Sequence, residues 1–322
     1  MSRPVLILFL FAALAAASLA VGLRSGSVPL SAADVAQALA GEASGLTGDI
    51  VREVRLPRLL SAFACGALLA LAGALLQVLL RNPLADPYVL GISGGAGLGL
   101  LAATALGLGY AAAQAAGLVG ALAAVMTVFG LSFRVGDWNL YRLLLSGVVF
   151  SAGCSALISL LLLLAPAGSI KGMLFWLIGD LSGAGSPGWA WVALAVVGGA
   201  SVLGANALNV LSLGRNKAAS LGLPVAAAEV AIYVAASAAT VVSVSLAGTI
   251  GFVGMMVPHL VRLMGVTDYR WLVPSAILGG GGLLSLADTA ARTLWAPLQI
   301  PVGVLTALLG VPVVLLLLAR RG

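Results

Sequence analysis

Residues 57–80 read PRLLSAFACGALLALAGALLQVLL, and the only charge among these 24 residues is Arg58. The apolar side chains run on all sides, with neither the one-sided stripe of a surface helix nor the alternation of a barrel strand. At 1.5 Å per residue, 24 helical residues reach about 36 Å, enough to cross a hydrocarbon core of about 30 Å. A helix also satisfies its own backbone polar groups in lipid. The stretch therefore reads as a transmembrane helix.

The rest of the chain has the same character. Of 322 residues, 61% are hydrophobic and 8% charged, whereas a soluble domain carries about 25% charged residues. A water-soluble globular protein is excluded. Working outward, residues 24–56 form the longest polar stretch and read as a loop outside the membrane. Within it, Ser31-Ala-Ala-Asp34 resembles a capping box opening a short helix through Leu39. Met1 to Gly22 could pass for a signal peptide, and Ser18-Leu-Ala20 imitates a cleavage site. The run is long enough to span and reads as an uncleaved first helix. Further spans are expected near 88–109, 113–131, 143–165, 189–207, 227–247, 249–264, 271–291 and 301–319. Between 166 and 188 the chain is too polar to span, but Ile170 to Ile178 suits a short interfacial helix. The fold class is an all-α, polytopic membrane protein of about ten helices, forming a single domain over residues 1–322.

Ten spans place both termini on one side. With the N-terminus inside, ten Lys and Arg residues fall on the cytoplasmic side against six outside, in keeping with the positive-inside rule. Half of the outer six cluster at Arg52, Arg55 and Arg58. The net charge of +6 forms no basic stripe, so nucleic acid is not an expected partner. Cys65 and Cys154 lie in apolar runs without CxxC neighbours and read as packing residues.

The absences narrow the function. The two lysines, Lys171 and Lys217, precede Gly172 and Ala218, so no phosphate-binding Gly-x-x-x-x-Gly-Lys-Ser/Thr loop exists. Ion-coupled transporters carry acidic or His residues in mid-membrane, yet Asp86, Asp137, Glu229 and Asp268 fall at helix ends or loops. Asp288 lies in an apolar run with Arg292 at i+4, which reads as an ion pair near a helix end. His259, without a carboxylate near it in sequence, reads as structural, and no Ser-His-Asp or paired-carboxylate arrangement appears. No catalytic residue, metal site or bound cofactor is expected. Gly residues number 42, and small residues let helices approach closely in lipid. A permease driven by a separate motor fits best.

Several motifs in fixed order carry a resemblance. They are Arg55-Leu-Pro-Arg58; Arg81-Asn-Pro-Leu-Ala-Asp-Pro87 with Leu90-Gly-Ile-Ser-Gly-Gly-Ala-Gly97; Gly248-Thr-Ile-Gly-Phe-Val-Gly254 with Pro258-His-Leu-Val-Arg262; Leu286-Ala-Asp-Thr-Ala-Ala-Arg292; and Ile300-Pro-Val-Gly-Val-Leu-Thr306. From about residue 28 onward, the chain resembles the FecCD family, permease subunits of ABC importers for iron-siderophores, haem and cobalamin. The resemblance implies ten helices per subunit and a homodimer with its pathway at the two-fold interface. It also implies two cytoplasmic ATPase subunits, which use the ATP, and a periplasmic substrate-binding protein. Ferric siderophores are the expected cargo, with cobalamin or haem as the alternative.

It also assigns residues. Arg55, Arg58 and Arg292 would meet acidic residues of the binding protein. The 208–226 loop would couple to the ATPase through Arg215, Lys217, Ser220, Leu221, Gly222 and Pro224. Family members often open this loop with an acidic residue; here it opens Arg215-Asn-Lys217. Gly222 suits a helix C-terminus and Pro224 a restart. Lys171, Trp176 and Asp180, in the segment after the fifth span, are candidate pathway residues.

Overall fold

A computed structural model of the chain describes residues 2–43, 45–134, 137–185 and 187–319. Arg320 and Arg321, counted above on the cytoplasmic side, lie outside the described residues. The chain opens with α1 (Arg3–Arg24), α2 (Ala32–Ala40) and α3 (Leu46–Asp49), then a π-helical turn (Ile50–Arg55) that runs straight into α4 (Leu56–Leu79). A 3-10 turn (Pro87–Leu90) leads to α5 (Ile92–Ala105), α6 (Tyr110–Ser132) and α7 (Leu140–Leu164). A two-residue antiparallel ladder, Phe133–Arg134 with Asp137–Trp138, closes the turn between α6 and α7. Then come α8 (Ala167–Ile178), α9 (Gly188–Leu203), α10 (Ala205–Ser212), α11 (Arg215–Ser220), α12 (Val225–Ala247), α13 (Val253–Leu263), α14 (Tyr269–Thr293) and α15 (Val302–Ala319).

The helix quoted first is the centre of the molecule. Every residue of α4 from Ser61 to Leu79 is buried, packed by α14, α12, α13 and α9. Small residues make this possible. A Cβ on Gly66 would fall on the Gly280 carbonyl oxygen and one on Gly280 on the Gly66 oxygen, so α4 and α14 touch backbone to backbone. Gly95 and Gly120 bring α5 and α6 together in the same way.

All ten expected hydrophobic segments are helical, but they are not ten long spans. Among the described residues, six helices are long and apolar enough to cross a membrane, or seven if α9 and α10, bent by 61° at Gly204, count as one. The 88–109 segment keeps only 14 helical residues as α5, after Pro87 and the left-handed Gly91 (φ 79°) break the helix. The 249–264 segment keeps 11 as α13, because Gly248 (φ 70°) and Phe252 (φ 71°) hold the preceding turn.

The polar 24–56 stretch is not all loop: from Leu46 it is helical, and the turn carrying Arg52 and Arg55 extends α4. The Ser31–Asp34 capping box forms as expected, with Asp34 N–H donating to Ser31 Oγ at 3.1 Å and Ser31 N–H to Asp34 Oδ2 at 2.8 Å. Those hydrogen bonds hold the Asp34 carboxyl below the usual range. The short helix expected over Ile170 to Ile178 forms as α8, begun three residues early.

Candidate functional site

Three places gather the candidate residues. The first lies where α1 and α14 end and α4 begins. Arg58 grips Asp288 with a bidentate fork: Nη2 donates to Oδ1 at 2.8 Å and Nε to Oδ2 at 3.0 Å. Its Nη1 donates to Gln299 Oε1 at 3.1 Å. Arg292 forms the expected i+4 pair, Nε to Asp288 Oδ2 at 3.8 Å, and its Nη2 donates to the Gly22 carbonyl. Arg55 gives Nη1 to the carbonyls of Leu23 (2.7 Å) and Arg24 (2.9 Å) and Nη2 to that of Val28.

The docking role that the resemblance implies calls for exposed arginines, and these three are largely buried instead. Arg55 is 3% exposed, and the Arg58 and Arg292 side chains are 13% and 11% exposed. The reason is that the last carbonyls of α1 have no intrahelical donors, and Arg55 and Arg292 supply them. The three guanidiniums still line a cleft of about 190 Å³ together with Val28 and Gln299. With one carboxylate against three guanidiniums, the cleft is positive and suits a carboxylate. The exposed cation beside it is Arg24, which lines a neighbouring hollow with Ser25, Pro29 and Thr293. Sequence reasoning placed Arg24 in the outer 24–56 stretch but gave it no role.

The second place is a cavity of about 460 Å³ that brings Lys171, Trp176 and Asp180 together. Lys171 Nζ lies 5.6 Å from the Phe175 ring centroid, on the same helix. The Asp180 N–H donates to the Ala247 carbonyl at 2.9 Å, and its carboxylate takes the Ser182 N–H at 3.2 Å. Tyr110 and Gln114 line the same cavity; Gln114 Nε2 donates to Tyr110 Oη at 2.8 Å. Sequence reading missed this pair, although a Tyr and a Gln at i,i+4 in an otherwise apolar span were a signal. The cavity mixes a cation, an anion, three aromatics and an amide, a lining suited to a polar molecule.

The third place is at the opposite end of α4. There α10, α11 and α12 follow one another with short breaks, so the 208–226 loop is largely helical. Gly222 takes φ 84°, its N–H donates to Ala219 O at 3.0 Å, and the Leu223 N–H reaches Ala218 O at 3.1 Å. That is a Schellman ending, and Pro224 then opens α12. Leu221 is 64% exposed, so α11 presents an apolar tip outward. Nothing lies within 4 Å of a Cβ built on Gly222, so substitution there strains the backbone alone. Behind it, Asn209 Nδ2 donates to Asp268 Oδ1 at 2.7 Å and Asn209 Oδ1 accepts the Tyr269 N–H at 2.9 Å. The Asn209 bond, with the Arg270 N–H, holds the Asp268 carboxyl below the usual range. The start of α14 is thereby tied to α10.

Among the described residues no three His, Cys, Asp or Glu side chains gather as a metal site. Comparison with known proteins gives the architecture its context. The model of the FecCD transport family matches residues 10–320. The vitamin B12 import system permease protein BtuC of Escherichia coli O6:H1 is 39% identical over 293 residues, covering 88% of this chain and 90% of that one. Its counterpart from Salmonella schwarzengrund is 39% identical over 272 residues, 84% and 83% of the two chains. An ABC transporter solved in an inward-facing conformation and assigned to the metal-chelate type superposes with a TM-score of 0.84 at 28% identity, covering 99% and 100%. PsaBC of Streptococcus pneumoniae shares the fold, with a TM-score of 0.57 at 16% identity. The family match over residues 10–320, with relatives 39% identical over most of both chains, leaves one assignment: the chain belongs to the FecCD transport family, as a multi-pass bacterial inner-membrane permease of ABC importers.

Proposed function

We propose that this chain is the translocation subunit of an importer for a large metal-centred chelate, with a corrinoid of the vitamin B12 type as the favoured cargo. The observation that carries the reading is the separation of its two working ends along α4: a cationic cleft at one, an outward-facing short helix at the other. In this reading all ten hydrophobic segments lie in the membrane, both termini are cytoplasmic, and the arginine cleft is periplasmic. Two copies pair, two separate ATPase subunits seat on α11 and hydrolyse ATP, and a periplasmic binding protein delivers cargo. The apolar residues exposed along α7, among them Leu145, Val148, Val149, Leu160 and Leu163, call for cover by lipid or by the second copy. The pathway runs past Lys171, Trp176 and Asp180. The 39% identity to BtuC favours a corrinoid; the likeness to a metal-chelate transporter keeps ferric siderophores as the second reading.

Reconstitution with its ATPase and binding protein tests this. Cobalamin accumulation that requires ATP and the binding protein is the expected result. Gradient-driven uptake by the chain alone overturns it, and accumulation of a ferric siderophore without cobalamin moves the cargo to the second reading.

Docking has a cleaner probe than the buried arginines, because reversing Arg55 would break the 24–28 turn it holds. Arg24→Glu should weaken binding-protein association about threefold to tenfold at low salt, with a smaller effect at high salt. Titration of labelled binding protein onto the permease in nanodiscs measures it, and unchanged low-salt affinity removes Arg24 from the interface.

Coupling is tested at Gly222. With the site sterically open, Gly222→Val should insert and pair normally yet lose most cargo-stimulated ATP turnover, because a β-branched residue resists φ 84°. Pro224→Gly, which loosens the restart, should show a milder loss. Full stimulation in both variants would show that α11 is not the coupling element.

A further inference from the structure

Glu229 is the acidic residue of α12 and sits in its second turn, with its side chain 1% exposed. A carboxylate so buried needs partners, because an uncompensated charge away from water is strongly unfavourable. Its two oxygens face two different cations. Oε1 lies 3.9 Å from Arg81 Nη2, and Oε2 lies 3.9 Å from Arg215 Nη2. Among the described residues neither oxygen accepts a hydrogen bond. The cations belong to separate segments: Arg215 is the first residue of α11, and Arg81 stands in the turn after α4. Arg81 holds φ 50°, a conformation that non-glycine residues adopt only when their surroundings impose it.

From this geometry we infer that Glu229 is a positioning residue, a shared counterion that ties α11 to the turn after α4 so that displacement of one is felt by the other. The inference rests on the proposal that α11 meets the ATPase. The distances carry the argument. A full charge-assisted hydrogen bond spans about 2.7–2.9 Å, so the carboxylate stands about 1 Å short of either guanidinium. A shift of that size completes the bond to one cation and lengthens the gap to the other. Moving the carboxylate toward one cation thus draws it from the other, so the two segments are mechanically linked through it. The turn it grips leads through Pro87 and Gly91 into α5, whose far end lies beside α8 and the cavity of Lys171 and Trp176.

The test uses the complete complex in liposomes with two readings: cargo accumulated per ATP hydrolysed, and the yield of a photo-crosslink from Leu221 to the ATPase. Glu229→Gln should lower the first about tenfold and leave the second unchanged. Arg81→Asn removes that cation at an exposed position with a residue that tolerates φ > 0, and should lower the ratio similarly. The double variant should be no worse than either alone, because one junction is lost in all three. A wild-type ratio in Glu229→Gln with the crosslink intact overturns the role of Glu229 alone. Effects of the two substitutions that multiply also overturn it. If Glu229→Gln fails to accumulate, Arg81→Asn decides, and a wild-type ratio there refutes the junction. Absence of the crosslink in the unaltered complex refutes the seating of α11, and this inference with it.

Discussion

Asp288→Asn is expected to destabilise the protein by about 3 kcal/mol, the lower end of the cost of breaking a buried pair. The side chain is 1% exposed and is the carboxylate on which Arg58 and Arg292 converge, at 2.8 and 3.8 Å. Asparagine keeps the shape and removes the charge, leaving two guanidiniums facing each other beside the end of α1. Both keep an edge in solvent, so the loss stays at the lower end of the range. Thermal unfolding in detergent measures it. Adding Arg58→Gln should recover part of the loss, because it removes one uncompensated cation. A melting temperature unchanged by Asp288→Asn would show that this cluster does not hold α1, α4 and α14 together.

The second large effect concerns the contact of α4 with α14. Gly66→Val should abolish accumulation of folded permease in the membrane, and Gly66→Ala should cost about 1–3 kcal/mol. A Cβ there lands on the Gly280 carbonyl oxygen and 2.7 Å from Leu284 Cβ. Backbone cannot rotate aside as a side chain can, so the helices must separate along their length, and dispersion contacts on both are lost. The control is Gly153→Ala on α7, where nothing of this chain lies within 4 Å; it should leave the packing within one subunit neutral or slightly stabilised, since alanine is the better helix former. Size-exclusion profiles and melting curves of the three variants compare them directly. Equal behaviour of Gly66→Ala and Gly153→Ala would show that α4 and α14 have room to adjust.

Much of this was legible in the residues. Continuous apolar runs in lipid leave only helices, so the ten hydrophobic segments could be placed from hydropathy alone, within a few residues. Local chemistry was equally readable. The Ser31–Asp34 box, the left-handed Gly222 with Pro224 behind it, and the Asp288–Arg292 pair at i+4 each depend on residues within four positions of one another. The motif order named the family before any contact was known.

Tertiary structure decided what depends on distant residues. Hydropathy cannot say where a span is cut short, because an apolar run does not register the left-handed turns at Gly91, which lies beside Gly147 and Phe150, and at Phe252, which lies against Gly310. Whether an arginine is exposed was likewise out of reach. Arg55 and Arg58 look alike in Arg-Leu-Pro-Arg, yet one serves carbonyls about 30 residues upstream and the other a carboxylate 230 residues downstream. Tyr110 and Gln114 reached Lys171 and Asp180 only through the fold, and Glu229 met Arg81 across some 150 residues. The sequence by itself determined the solvent, the helices and their local caps, since those follow from hydropathy and short-range backbone chemistry. Which polar side chains are spent holding helix ends, and which remain for partners, was settled only by packing, because each buried charge takes whichever counter-group the fold brings within reach.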